Sequence, residues 1–105
     1  MVEVAILRVR PGQVERLRSW LSELMDRADE VRQTFANEGV THERGYLLTT
    51  AEGPVLIYAI EAADHGKARE AYAHSTLPID QEHRDVMREV LAGPAGAELL
   101  YEMGL

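Results

Sequence analysis

The chain has 105 residues and carries 18 acidic against 11 basic side chains, a net charge of −7. That charge repels phosphate backbones and anionic lipid head groups, so neither nucleic acid nor a membrane is expected as a partner. The absence of cysteine excludes disulfides, thiolate metal sites and a cysteine nucleophile, and no apolar run approaches the ~18 residues of a bilayer span.

An apolar share of 46% beside 28% charged residues fits a folded chain rather than a disordered one, and the length predicts a single domain over 1–105. The opening run MVEVAILRVR carries Glu3 and is too short in its apolar part for a secretory leader, so a cytoplasmic location is expected.

Residues 2–10 predict a strand. Val2, Val4 and Ile6 fall on one side of it and Ala5, Leu7 and Val9 on the other, so it is expected to be covered on both faces. Pro11-Gly12 breaks it. A helix is predicted over 13–36, because Val14, Leu17, Leu21, Leu24, Ala28, Val31 and Phe35 recur at intervals of three and four. Trp20 lies beside that stripe. Asn37-Glu38-Gly39 ends the helix.

A second strand over 40–50 and a third over 54–61 form a hairpin about Glu52-Gly53-Pro54. Asp64 is placed to cap a helix over 64–74, and Ser75-Thr76-Leu77-Pro78 interrupts it. Asp80 is read as the cap of a further helix over 80–92, ended by Gly93-Pro94. The last strand is predicted over 96–103, AELLYEM, with Glu98 and Glu102 facing Arg8 and Arg10.

This order, β-α-β-β-α-(α)-β, predicts an α+β, ferredoxin-like βαββαβ fold with an extra helix before the last strand. Its first strand lies between the third and fourth. In such a sheet the helices cover one face, yet Val55 to Ile60 leave no polar face. The simplest cover is a second copy, so a homodimer packed sheet to sheet is expected.

The opening Val9-Arg10-Pro11-Gly12 with the helix from Val14 to Leu24 resembles the start of antibiotic-biosynthesis-monooxygenase-like domains, the dimeric α/β barrels. A closer resemblance is to a family of short uncharacterised bacterial proteins of that superfamily. It rests on Arg8-Val9-Arg10-Pro11-Gly12, on Leu17-Arg18-Ser19-Trp20-Leu21, and on Pro78-Ile79-Asp80-Gln81-Glu82-His83 followed by Val86 to Leu91. The resemblance implies a dimeric α/β barrel and assigns no activity. Haem-degrading members of the superfamily use an asparagine early in the first strand. This chain has Ile6, Leu7 and Arg8 there, and His74 is the only partial echo.

His74 and His83 flank the break between the last two helices and are the candidate general bases, since imidazole exchanges protons near neutral pH. Tyr58, Tyr72, Trp20 and Arg8 are the candidate ligand-binding side chains. Asp80 and Glu82 lie beside the histidines, but the spacing matches no strong metal motif, so neither a metal nor a cofactor is expected. The expected function is small-molecule binding, or cofactor-independent catalysis, in a cleft between sheet and helices. The alternative is a non-catalytic dimeric module that binds another protein.

Overall fold

The computed structural model describes residues 1–105. Its elements are β1 (Val2–Val9), α1 (Val14–Asp26), α2 (Ala28–Glu38), β2 (Val40–Thr50), β3 (Gly53–Ala62), α3 (His65–Ala73), α4 (Pro78–Val90) and β4 (Leu91–Ala95). The four strands form one open antiparallel sheet in the order β2-β3-β1-β4, so β1 lies between β3 and β4.

The register fixes two faces. Leu7, Leu56 and Leu47 form one row across β1, β3 and β2, and Ala5, Tyr58 and Gly45 form the next. Glu3, Ile60 and Glu43 form a third row on the same side. All four helices pack on this side. Leu17 and Trp20 of α1 and Val86 and Val90 of α4 meet Val9 and Leu56. Phe35 of α2 and Ala68 of α3 meet Val40, Ile60 and Ala62. Leu56 retains 1% of its exposure, so Leu56→Ala is expected to cost about 3 kcal/mol in urea denaturation, the usual effect of truncating a fully buried leucine. A loss below ~1 kcal/mol would contradict the packing.

The other face carries Val4, Ile6, Tyr46, Leu48, Val55, Ile57 and Ala59 and has no helix on it. Val4 is 51% exposed and Leu48 49%. The apolar second side of β1 and β3 is therefore open in the single chain.

The predicted helix over 13–36 is two helices. Arg27 leaves the helical region at φ −109°, ψ 40° and serves as the last cap of α1 and the first of α2. At the break its guanidinium binds Glu23 on α1, Glu30 on α2 and Glu82 on α4, tying both helices to α4. The break lets α1 pack on α4 while α2 turns towards α3 and β2.

The last strand is also displaced. β4 is Leu91–Ala95, and residues 96–105 take no regular secondary structure. Leu91 is extended at φ −96°, ψ 139°, so the chain passes from α4 into the strand with no loop. Gly93, at φ 135°, and Pro94 do not stop the chain. β4 is an edge strand, where a residue without an N–H is tolerated, and it pairs with β1 across a shift at Arg8/Val9. Arg8 consequently faces Gly93 instead of Glu98, and its Nη1 donates to the Pro94 carbonyl at 3.2 Å.

Candidate functional site

The side chains of the sheet's helix face change in size along β1 and β3. The leucine row fills the space beneath α1 and α4. In the next row Tyr58 is flanked by Ala5 and Gly45, whose small side chains leave room above the strands. A Cβ on Gly45 would stand 3.6 Å from the Tyr58 ring, so that ring lies against the bare backbone of β2. A cleft of about 1500 Å³ opens here between sheet and helices, and Ala97, Glu98, Leu99 and Glu102 of the C-terminal segment also line it. Leu21, Leu24, Val31, Phe35, Ile60 and Met87 supply apolar walls, and Glu38, Glu43, Tyr58, Tyr72, Asp80, His83 and Arg84 supply polar ones.

His83 sits one turn into α4. Its Nδ1 accepts a hydrogen bond from the indole Nε1–H of Trp20 at 2.8 Å. That bond assigns the proton of the neutral ring to Nε2, which has no protein partner. Burial pulls the imidazole down to about 4, with Asp80 opposing the shift and Arg84 adding to it. The ring is therefore neutral at pH 7 and offers an N–H donor. It lies 6.0 Å from the Tyr72 ring, edge to face.

Asp80 does not cap α4. Leu77 holds the N-cap position, Pro78 occupies the first turn, and Asp80 lies buried at 3% exposure. Thr34 Oγ1 on α2 donates to its Oδ2 at 2.6 Å, and Ser75 Oγ donates to the same oxygen at 2.5 Å. The carboxylate thus joins α2, the α3–α4 link and α4. Arg84 fixes the same link by donating to the carbonyls of Tyr72 at 2.6 Å and Ser75 at 2.9 Å.

Two acidic residues that the sequence reading did not single out complete the polar wall. Glu38 ends α2, where the helix dipole opposes a negative charge. Burial, with Asp80 and Glu43 nearby, pushes its carboxyl up to about 7. Burial also raises Glu43 on β2. Burial and then Glu43 raise the Tyr58 phenol, and burial lifts Tyr72 to about 12. The signal for Glu43 was present in the alternation of β2: it falls on the same side as Leu47, which packs in the core.

The other candidates separate from this cleft. His74 is the exposed C-cap of α3 and is absent from the lining. Trp20 is buried in the core and reaches the site only through His83. Arg8 is exposed and lies in the row of the sheet's open face. Glu82 is held by Arg27 on the outside of α4. No group of three His, Asp or Glu side chains converges as a metal site.

A family model described as a family of unknown function, DUF6176, matches residues 1–104. The chain belongs to this family. No curated protein and no solved structure matches it. No helix is long and apolar enough to cross a membrane.

Proposed function

We propose that the chain is a small-molecule-binding protein, or a cofactor-independent enzyme, of the dimeric α/β barrel type, resembling antibiotic-biosynthesis-monooxygenase-like domains. The observation that carries the reading is the cleft itself: about 1500 Å³ between sheet and helices, with His83, Tyr58, Tyr72 and Glu38 on one lining. Apolar walls with a few polar groups are what small-ligand sites require. In this reading His83 Nε2–H and the tyrosine hydroxyls orient the ligand. Glu38 is the group placed to exchange a proton near neutral pH, since general acid–base catalysis favours a group that titrates there. The test is equilibrium binding of 1-naphthalenemethanol, a neutral apolar probe, followed by its fluorescence. One probe should bind per chain, and Val31→Trp, which fills the apolar wall, should weaken binding. No saturable binding would overturn the reading.

The strand order, with β1 between β3 and β4, supports a ferredoxin-like chain, and the open apolar face supports a homodimer formed sheet to sheet. The exposed Leu99, Leu100, Tyr101 and Met103 beyond β4 add unpartnered apolar surface to the same chain. Light scattering at micromolar concentration should give twice the chain mass. Val4→Glu, on the open face, should give the monomer mass with helix content unchanged. A monomeric unsubstituted chain would exclude the dimer and leave the cleft reading standing.

A further inference from the structure

We infer that the ligand of this cleft is an apolar molecule carrying a protonated amine, held by Glu38 and Glu43 beside the hydroxyl of Tyr58. The inference deepens the proposal that the cleft binds a small molecule, and it rests on that proposal.

Three observations converge. First, Glu38 and Glu43 are partly buried on the cleft wall, and neither carboxyl makes an ion pair or a hydrogen bond within the chain. The neighbouring charges are satisfied: Asp80 by two hydroxyls, Arg84 by backbone carbonyls, Arg69 by Glu3 and Arg27 by three glutamates. Second, the Tyr58 hydroxyl has no solvent exposure and no partner. A buried polar group left unpaired is costly, so this hydroxyl, beside two partly buried carboxyls without an ion pair, points to a missing binding partner.

Third, carboxyls outnumber cations at this end of the cleft, with Glu38, Glu43 and Asp80 against Arg84. The groups that face the two glutamates are Tyr58 from β3, Tyr72 from α3, and Asp80, His83 and Arg84 from α4. His83 is neutral, and Arg84 keeps its charge while its terminal nitrogens are tied to the Tyr72 and Ser75 carbonyls. Arg10, a cation of the lining without an ion pair, follows β1 at the far end, about 20 Å along the strand from the Glu3–Ile60–Glu43 row. An anionic ligand would meet the carboxyls with one guanidinium already tied to backbone carbonyls, whereas an ammonium group would pair with both glutamates and donate to the Tyr58 oxygen. The Tyr72 ring already carries the Arg84 guanidinium at 5.5 Å, and Phe35 is a further aromatic side chain of the lining that could stack on a cation with an apolar body. The raised Glu38 adds a signature: an ammonium group expels the proton that its carboxyl otherwise keeps.

The experiment compares three naphthalene probes of nearly one shape: 1-naphthylmethylamine, 1-naphthalenemethanol and 1-naphthoate. The amine is expected to bind roughly tenfold tighter than the alcohol, with the carboxylate weakest, as charge-assisted hydrogen bonds in a shielded site require. The double variant Glu38→Gln, Glu43→Gln keeps the side-chain shape and should bring amine and alcohol to about equal affinity. Calorimetry on the unsubstituted chain near pH 6, in two buffers of different ionisation enthalpy, should show proton release with the amine and none with the alcohol. This last measurement is independent of whether the variant folds. If the alcohol binds as tightly as the amine, the ligand class is wrong and the cleft reading survives. An amine advantage that persists in the variant would reflect the chain's overall negative charge and would overturn the inference. If none of the probes binds, the cleft reading itself fails.

Discussion

Asp80→Ala is expected to destabilise the chain by roughly 3 kcal/mol, among the largest losses from a single polar substitution outside the leucine core. Asp80 Oδ2 accepts from both Thr34 and Ser75, which lie on different elements. Truncation strands the Thr34 hydroxyl in a buried setting and releases the Ser75–Leu77 link that starts α4. Asp80→Asn supplies the discriminating comparison. The amide oxygen replaces Oδ2 and still accepts both hydroxyl protons, so its loss should be roughly half or less that of alanine. Removing the charge also relieves Glu38, whose carboxyl Asp80 helps to hold up. Urea denaturation of the two variants measures the difference. Equal losses would mean that the charge, and not the pair of hydroxyl bonds, organises this link.

The second large effect lies in the dependence of stability on pH, where two opposite contributions overlap. His83 is lowered from 6.5 to about 4 on folding, so between those values the unfolded chain binds more protons than the native one. Its contribution is therefore complete above pH 6.5 and is lost as the pH falls towards 4. Glu38 is raised from 4.5 to about 7, so its native state retains a proton that the unfolded chain gives up. That contribution is complete below pH 4.5 and is lost as the pH rises through 7, and the raised Glu43 acts in the same direction. The two trends oppose each other from 4.5 to 6.5.

His83→Gln keeps an acceptor for the Trp20 indole and removes one trend. Its stability relative to the unsubstituted chain should rise as pH falls from 6.5 to 4, by roughly 3 kcal/mol over the window. Glu38→Gln should shift the relative profile the other way, with stability gained as pH rises from 4.5 to 7. Denaturation series at several pH values test both signs. Parallel profiles for the unsubstituted chain and His83→Gln would mean that the imidazole is not held neutral in the native state.

The course of the chain up to Ala73 was largely legible in its periodicities. Runs of Val, Ile and Leu on both faces located β1 and β3, and Asp64 caps α3 through the Lys67 N–H, as its position before that helix suggests. The break at Arg27 was not legible because the apolar stripe runs through it unbroken. At the break Arg27 joins Glu82 on α4, a long-range contact that local periodicity does not carry. The final strand was misplaced because AELLYEM has stronger strand character than LAGPA. Pairing with β1 decided instead, and proline is acceptable at an edge.

For the site, His83, Tyr58 and Tyr72 share the lining of the cleft. Sequence spacing could not separate His83 from His74: one faces the cleft because the following helix starts at Pro78, and the other caps the preceding helix in solvent. Glu38 and Glu43 escaped notice because isolated acidic residues at a helix end and on a half-exposed strand usually face water.

The direct passage from α4 into β4 leaves no slack in the chain. Leu91 closes the helix and also opposes Val9 in the sheet. One inserted residue between Val90 and Leu91 would either turn the helix by about 100° or reverse which side of the sheet every β4 residue faces. The first displaces Asp80, His83 and Arg84 together, and the second breaks the ladder against β1. Length changes tolerated elsewhere on the surface should therefore be rejected at this junction, and the wall of the cleft and the edge of the sheet should move as one piece.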